Sequence, residues 1–282
     1  MKRKILILLF IMGLIVAATF VSSCGKGTKG LEFIEISDTE CGVKCGEAVD
    51  ATEIVIPKKH DGKVVTTIMS TGFSKCDKLV SVTIPKTITK IEKGAFYNCT
   101  SLENVYFKGK IKDWCNIEFE LGNSSPMDQA EHFFVKGREL KNLKLKKIEA
   151  IKSYTFFGFD YLESFEADKN LTAIGENAFA GCVGLSSVKL PSSLSKLEKL
   201  CFSNCKKLKE IVIPASTSQI HRLAFYEAGL NTVTFEDTEK WFTTTNPDAT
   251  RGDKYDVTDP ELNAYYFIRT ASGYLKRVLP TT

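Results

Sequence analysis

One 23-residue pattern is written three times in succession between Leu171 and Phe235. The copies read LTAIGENAFAGCVGLSSVKLPSS (171–193), LSKLEKLCFSNCKKLKEIVIPAS (194–216) and TSQIHRLAFYEAGLNTVTF (217–235). Each copy is centred on a phenylalanine, which we call the anchor, and these anchors are Phe179, Phe202 and Phe225. A small residue precedes each anchor and a short apolar segment follows it. The period belongs to a repeating structural unit, since helices and strands repeat over far fewer residues.

The same columns extend towards the N-terminus, where the anchors are Phe73, Phe96 and Phe156. Five positions before each of the six anchors lies an apolar residue, and this column is Ile68, Ile91, Ile151, Ile174, Leu197 and Ile220. Self-similarity at about 20 to 29 residues with one strand per unit is typical of leucine-rich repeats. We therefore predict a right-handed leucine-rich-repeat solenoid over residues 54–235, with eight strands in a parallel sheet on one face.

The spacing of the anchors is interrupted once. Phe96 and Phe156 are 60 positions apart, and we interpret residues 108–144 as one enlarged repeat with a hairpin in it. Residues 31–53 match the pattern poorly and are predicted to form an N-terminal cap, since an open solenoid end exposes apolar surface. Residues 236–282 are predicted to form a C-terminal cap, with a short helix after Asp259 and a last strand near Tyr274.

The N-terminus has the order charged, apolar, small. Three basic residues at positions 2–4 precede an apolar run to Val21, and two serines then lead to Cys24. This order predicts a cleaved signal peptide over residues 1–23, because the run is short for a helix that must cross about 30 Å of hydrocarbon. Residues 21–24 also resemble the lipobox of bacterial lipoproteins. The resemblance implies acylation of Cys24, for example with palmitate, ahead of a flexible tether at residues 24–30.

The charge balance excludes partners that are held by charge. The formal net charge is +4, from 38 basic and 34 acidic residues, but removal of the signal peptide leaves 35 basic residues against the same 34. A nucleic acid or an anionic membrane surface requires a concentrated basic face. The mature chain has no basic surplus for one. We expect no nucleic-acid partner, and we expect membrane contact only through the lipid.

The nine cysteines fall into distinct positions of the pattern. Four lie three positions after an anchor, at Cys76, Cys99, Cys182 and Cys205. We predict a buried column of free thiols there, because parallel side chains on stacked coils are poorly oriented for disulfide bonds. Export and proximity in sequence make Cys41 and Cys45 the candidates for a disulfide. Their spacing does not match a zinc site.

Known catalytic and metal-binding motifs are missing from the sequence. There is no GxSxG, HExxH or P-loop, and His60, His132 and His221 lie in three separate regions. We expect no catalytic residue, no metal and no cofactor. The segment 251–253 spells Arg-Gly-Asp, the integrin-binding tripeptide, and an ordinary turn with a charged pair is the alternative interpretation.

A binding surface can be predicted from the strands. Side chains alternate along a strand, so the residue between two inward apolar ones must point outward. The outward ladder consists of Thr83, Tyr106, Lys144, Glu166, Lys189, Val212 and Thr234. Tyr106 resembles an interface hot spot, and Trp114 in the enlarged repeat is a further candidate. The alternative is a sheet face that is solvated and binds nothing.

Three segments resemble a known family. KGAFYNC (93–99) and ENAFAGC (176–182) are similar to the BspA-type leucine-rich repeats of bacterial surface proteins, and DWCNI (113–117) is similar to insertions found in that family. Phe159 and Ala228 depart from its pattern, which has cysteine at those positions. The resemblance covers about residues 54–235 and implies a surface-exposed or secreted protein with a role in adhesion.

These observations lead to one expected function and one alternative. We expect a monomeric, non-enzymatic protein that is lipid-anchored to the bacterial cell envelope. It would bind a protein of the host extracellular matrix or of another bacterial surface, through the sheet face or through the region around Trp114. The alternative is an enzyme or a small-molecule receptor, with its site between residues 108–144 and the repeat stack.

Overall fold

The computed structural model describes residues 27–269 and 273–278, and the predicted signal peptide and Cys24 lie outside them. The chain forms a β-solenoid in which each coil places one strand on a common face, here called the front face. Parallel ladders join neighbouring strands, and Val82 lies opposite Val105 in one of them. The predicted solenoid is confirmed. In the described residues, the front strands are Glu53–Val55, Ser81–Ile84, Asn104–Phe107, His132–Val135, Asn142–Leu145, Ser164–Ala167, Ser187–Lys189, Glu210–Ile213 and Thr232–Phe235.

The opposite side of each coil, here called the second face, carries shorter strands. They form two separate sheets. The first contains Glu32–Glu35, Glu40–Lys44, Lys59–His60, Lys63–Ile68, Lys90–Ile91 and Glu118–Phe119. The second contains Ala150–Ile151, Ala173–Ile174, Lys196–Leu197, Gln219–His221, Tyr274–Arg277, Trp241–Thr244 and Asp253–Lys254.

The anchors form the core between the two faces. Phe179 stacks on Phe202 with 5.1 Å between ring centroids, and Phe202 stacks on Phe225 at 5.7 Å. Phe73 and Phe96 form a matching pair at 5.4 Å. All of these rings are fully buried. A single coil could not exclude water from its ring on both sides, so each coil depends on its neighbours for burial.

A left-handed turn follows each anchor from Phe96 onward. The residue two positions after the anchor has φ between 54° and 77° at Asn98, Gly158, Gly181, Asn204 and Glu227. Glycine and asparagine adopt this conformation at low cost, which explains four of these five residues. The turn directs the next residue inward, so position three after the anchor, where the cysteine column lies, is buried.

The enlarged repeat contains a coil of its own. Helix Ile111–Cys115 is followed by Glu118–Phe119, which pairs in parallel with Lys90–Ile91, and His132–Val135 pairs in parallel with Asn104–Phe107. Two 3-10 turns, at Gly122–Ser124 and Pro126–Asp128, replace the anchor turn. The described chain therefore has nine front strands where eight were predicted. Phe119 and Met127 fill the inward positions of this coil. Because it has no phenylalanine at the usual spacing, the repeat pattern did not reveal it.

A hairpin then joins two front strands directly. His132–Val135 turns at Lys136 and Gly137 into Arg138–Glu139, which pairs with it antiparallel, and Asn142–Leu145 follows. The front ladder is interrupted there, because Asn142–Leu145 begins a separate sheet, and it is interrupted again between Ser187–Lys189 and Glu210–Ile213.

The N-terminal residues pair with the first coil. Strand Glu40–Lys44 extends the second face by pairing in parallel with Lys63–Ile68. The end of the predicted flexible tether is ordered, because the Thr28 amide donates to the Val55 carbonyl at 3.0 Å and the Val55 amide donates to Thr28 Oγ1 at 2.8 Å. Thr28 thus satisfies backbone groups that the edge of the front strand would otherwise leave unpaired.

The predicted C-terminal helix is present at Pro260–Phe267. The Asp259 carboxylate accepts hydrogen bonds from the amides of Glu261 and Leu262, both at 3.0 Å, which fixes its first turn. Tyr274–Arg277 pairs antiparallel with Gln219–His221 on the second face. The capping roles of residues 31–53 and 236–282 stay predictions.

Candidate functional site

The front face presents the predicted ladder to solvent. Along each strand buried and accessible residues alternate, so Val105 and Phe107 are buried whereas Tyr106 is partly accessible. Lys144, Lys189, Val212 and Thr234 are exposed, and Val212 is 50% accessible. The remaining two, Thr83 and Glu166, are partly accessible. These side chains lie on the same face, but the part of the ladder around Tyr106 is aromatic whereas the part around Glu166 is charged.

An aromatic cluster occupies the front face where the enlarged repeat joins the stack. Tyr106 stacks on Phe134 with 5.0 Å between ring centroids and 24° between ring planes. His132 lies 6.3 Å from Phe134 and 4.6 Å from Tyr161, centroid to centroid. Tyr161 is 41% accessible, and the other three rings are partly accessible. We call Tyr106, His132, Phe134 and Tyr161 the aromatic cluster.

The local fold explains why these rings meet. His132–Val135 is in register with Asn104–Phe107, which places Phe134 opposite Tyr106 and turns both outward. Tyr161 comes from the next coil, five positions after the anchor Phe156. Sequence reasoning found only Tyr106 because it treated residues 133–135 as a hairpin arm. In the structure, buried Phe133 alternates with accessible Phe134, as expected for a strand that belongs to a coil.

A carboxylate fixes the imidazole of the cluster. His132 Nδ1 lies 2.5 Å from Glu139 Oε1, and Lys141 Nζ lies 3.4 Å from Glu139 Oε2. Partial burial raises the pKa of the Glu139 carboxyl, but hydrogen bonds from His132 and Lys141 outweigh it, so that the pKa lies below its usual value. Glu139 is therefore an ionised acceptor at neutral pH, and it holds the ring of His132 in place.

The second half of the ladder is charged. Glu166 lies between two lysines, with Oε2 3.3 Å from Lys144 Nζ and Oε1 4.0 Å from Lys189 Nζ. Exposed ion pairs of this kind contribute about 1 kcal/mol or less to stability. Their main effect is to give the surface a defined charge pattern beside the aromatic cluster.

Trp114 does not belong to this surface. Its side chain is fully buried, and its indole Nε1 donates to the Thr155 carbonyl at 2.8 Å. Phe107, Phe119, Phe133 and Phe159 surround the indole, with centroids 4.6 to 6.1 Å away. The prediction that Trp114 contacts a ligand is corrected: the short helix Ile111–Cys115 turns the indole into the core, where it ties the enlarged repeat to the following coil.

The predicted Cys41–Cys45 disulfide is not formed. Both described thiols are free, and Cys41 lies in strand Glu40–Lys44 with Cys45 directly after it. Four residues of extended chain span about 13 Å, which is too far for a disulfide between the two ends. Cys45 instead donates its amide to the Gly72 carbonyl at 2.8 Å.

The predicted cysteine column lies in the core as free thiols. Cys76, Cys99, Cys182 and Cys205 are all fully buried. Burial raises the pKa of each of these thiols. They act as small apolar residues and are protonated at neutral pH, and Cys99, Cys182 and Cys205 also donate a hydrogen bond.

A cleft opens on the second face between the enlarged repeat and the stack. It encloses about 640 Å³ and is lined by strands Glu118–Phe119 and Ala150–Ile151, with Glu176 and the ion pair Lys196–Glu198 along its side. The alternative function predicted from the sequence, an enzyme or a small-molecule receptor, would have its site here. The cleft lining includes the acids Glu118, Glu176 and Glu198 and the bases Lys152 and Lys196.

Three further features concern the Arg-Gly-Asp tripeptide, metal binding and membrane spanning. The Arg251-Gly252-Asp253 segment is exposed, and Asp253 pairs antiparallel with Thr243. Within residues 27–269 and 273–278 no cluster of histidine, cysteine or acidic side chains could hold a metal ion. In that same part of the chain no helix combines the length and apolarity needed to cross a bilayer.

The geometry defines a class of protein, a leucine-rich repeat solenoid with an open front face. Within that class, residues 43–125 and 130–245 match the model of the BspA type Leucine rich repeat region in six copies. This match extends over more than half of the chain, so the protein belongs to the BspA-type leucine-rich repeat family. Proteins of this kind are typically surface or interaction proteins, and leucine-rich repeat domains are generally non-enzymatic.

The chain is similar to several solved structures. A leucine-rich repeat protein from Eubacterium ventriosum has 25% identity and a TM-score of 0.41, over 64% of this chain and 43% of that one. A leucine-rich repeat protein from Bacteroides ovatus has 16% identity and a TM-score of 0.41, over 75% and 65% of the two chains. The pneumococcal vaccine antigen PcpA has 16% identity and a TM-score of 0.35, over 77% and 83%. No curated protein matches the chain.

Proposed function

We propose that this protein binds another protein through its front face, with the aromatic cluster as the centre of the contact. The observation that carries the proposal is the stacked pair Tyr106–Phe134, which lies on an accessible sheet face next to His132 and Tyr161. Large aromatic rings dominate the binding energy of protein interfaces, because they bury much area at a low cost in conformational entropy.

The surroundings of the cluster support a protein partner. Tyrosine and histidine present a polar atom together with an apolar ring, which suits a surface that is hydrated when free and buried when bound. The lysine and glutamate ladder of Lys144, Glu166 and Lys189 forms a charged rim on one side. An apolar centre with a polar rim is the usual composition of a protein interface.

We further propose that the protein is exported and attached to the cell envelope by an acyl chain on Cys24. The support is the sequence of residues 1–24, with its basic start, apolar run and lipobox-like end. Attachment would leave the front face available to host extracellular matrix proteins or to proteins of other bacteria. Labelling of expressing cells with a radioactive fatty acid tests this: the wild type should incorporate label and Cys24→Ala should not. Incorporation by Cys24→Ala would refute acylation at this residue.

Binding can be tested with the full chain immobilised on a biosensor. The analytes are a panel of purified extracellular matrix proteins and purified surface proteins of other bacteria. For any binder, Tyr106→Ala and Phe134→Ala should each weaken affinity about 30-fold, since a hot-spot truncation costs about 2 kcal/mol or more. Thr234→Ala lies on the same face away from the cluster and serves as the control. Equal affinity of the wild type and both aromatic variants would place the contact elsewhere.

A further inference from the structure

The second face lacks one strand at the cleft. Between the nine described front strands there are eight connections, and seven of them pass through a second-face strand. The eighth, from Val135 to Asn142, is the short hairpin with Arg138–Glu139, which returns to the front face directly. The second-face strand that would lie between Glu118–Phe119 and Ala150–Ile151, here called the missing rung, is therefore absent from the described chain.

Two open strand edges result. Glu118–Phe119 is the last strand of one sheet and Ala150–Ile151 is the first strand of the other, and these two described strands do not pair with each other. Both line the cleft of about 640 Å³. An unpaired strand edge presents backbone amide and carbonyl groups in the spacing of an extended chain. Neighbouring strands lie about 4.8 Å apart, so the space of one missing rung matches the width of one extended peptide.

The cleft is held open by contacts at its margins. Trp114 Nε1 donates to the Thr155 carbonyl at 2.8 Å, and Lys152 Nζ donates to the Asn116 carbonyl at 2.7 Å. Ser125 Oγ donates to the Phe157 carbonyl at 3.3 Å on the side of the anchor turns. These bonds fix the enlarged repeat against the next coil around the cleft. A preorganised opening requires little rearrangement when it binds.

We infer that this cleft binds an extended, basic peptide segment of another protein, which adds a strand between Glu118–Phe119 and Ala150–Ile151. The backbone edges select an extended chain, as in other cases of strand addition. The side chains select its charge. Glu118 and Glu176 line the cleft, whereas Lys196 is paired with Glu198 at 2.5 Å and the ammonium of Lys152 is bonded to Asn116. The Asn116 carbonyl does not neutralise Lys152, so three carboxylates face two ammonium groups in the cleft lining, and its net charge is −1. This site is independent of the aromatic cluster.

The test uses the full chain and a dodecapeptide library displayed on phage. Selected peptides are synthesised with a fluorescent label, and their affinity is measured by fluorescence anisotropy. We expect binders that contain lysine or arginine and bind with micromolar dissociation constants. Ala150→Arg, which places a long side chain in the cleft from an exposed strand position, should weaken binding at least tenfold. Gln219→Arg lies in the same column of the second face away from the cleft, and it should leave affinity within twofold.

A second measurement separates strand addition from binding through side chains. Peptides methylated on alternate backbone nitrogens cannot donate to a strand edge, so they should lose at least tenfold in affinity. Hydrogen exchange should slow at residues 117–120 and 149–153 when the parent peptide is bound. A library without binders, or binders unaffected by Ala150→Arg or by methylation of either set of amides, would overturn the inference. Loss of binding in Tyr106→Ala alone would assign the peptide to the front face instead.

Discussion

The Cys205 thiol donates a hydrogen bond to the carbonyl of Phe179, the anchor of the preceding coil, at 3.3 Å. Cys182 makes the same bond to the Phe156 carbonyl at 3.2 Å, and Cys99 makes it to the Phe73 carbonyl at 3.0 Å. Three cysteines of this column therefore each satisfy a buried backbone oxygen of the neighbouring coil. The column contributes to the stacking of coils as well as to the filling of the core.

Replacement of Cys205 by alanine should destabilise the protein by about 1 to 2 kcal/mol. It leaves the Phe179 carbonyl without its donor and opens a small cavity in a fully buried site. Cys201→Ala is the matched control. Cys201 occupies the position directly before the anchor, where the neighbouring coils have Ala178 and Ala224. Its sulfur lies 3.9 Å from the Ala224 carbonyl oxygen. The free energy of unfolding in urea should fall less in the control, because Cys201→Ala opens a similar cavity but loses only the longer contact. Equal effects would show that the thiol bond contributes nothing.

Trp114→Phe should lower the free energy of unfolding by about 1 to 3 kcal/mol. The substitution keeps an aromatic ring among Phe107, Phe119 and Phe133 but removes the indole donor, so the buried Thr155 carbonyl loses its partner. Urea denaturation followed by circular dichroism measures the change. Lys112→Ala, on the exposed side of the same helix, should have little effect. A stability equal to that of the wild type would mean that the bond to Thr155 does not hold the enlarged repeat in place.

The regular coils could be predicted from sequence because each column has one physical role. Anchors, strand triplets and buried cysteines recur at fixed spacing, and the structure places Phe73, Phe179 and Cys205 accordingly. The enlarged repeat could not be predicted in the same way. Its inward positions are filled by Phe119 and Met127 and its anchor turn by two 3-10 turns, so the packing is preserved while the spacing is lost.

The candidate sites were only partly predictable for the same reason. Alternation along a strand assigned Tyr106 and Glu166 to the accessible face. The partners of Tyr106 depend on which strand lies next to it, and that neighbour is separated by the helix and by the 3-10 turns. The burial of Trp114 depends on the orientation of a five-residue helix. The missing rung of the second face depends on a hairpin that closes one coil early. None of these relations recurs at a fixed spacing in the sequence, so the repeat pattern could not predict them.

Gly158→Ala should be more destabilising than Gly181→Ala, although both glycines have φ of 77°. An alanine pays about 1 to 2 kcal/mol for this left-handed conformation at either position. At Gly158 the new Cβ would also lie 2.6 Å from the Met127 carbonyl oxygen, whereas at Gly181 its nearest contact is 3.7 Å away. Gly158→Ala must therefore push the enlarged repeat away from the next coil. Thermal unfolding should show a clearly larger loss for Gly158→Ala, and equal losses would mean that this junction adapts freely.

The free energy of unfolding should fall as the pH rises above about 9, partly because of the buried thiols. Burial, assisted by the nearby Cys45, raises the pKa of the Cys99 thiol from 9.0 to about 12. Because the folded pKa lies above the unfolded one, the stabilisation is complete below pH 9, and it is lost as the pH rises towards 12. In that window the unfolded state releases a proton that the folded state retains, so one such thiol contributes a slope of at most about 1.4 kcal/mol per pH unit.

Lysine and tyrosine titrate in the same window, so the test compares variants. Urea unfolding between pH 8 and 10.5 should give a shallower decline for Cys99→Ala than for the wild type. Val105→Ala removes buried volume from the same coil without removing a titratable group, and it should be less stable with the wild-type slope. If Cys99→Ala and Val105→Ala declined in parallel, the Cys99 thiol would have to ionise in the folded protein at its ordinary pKa. Its burial between Phe73 and Phe96 would then have to be transient on the timescale of the measurement.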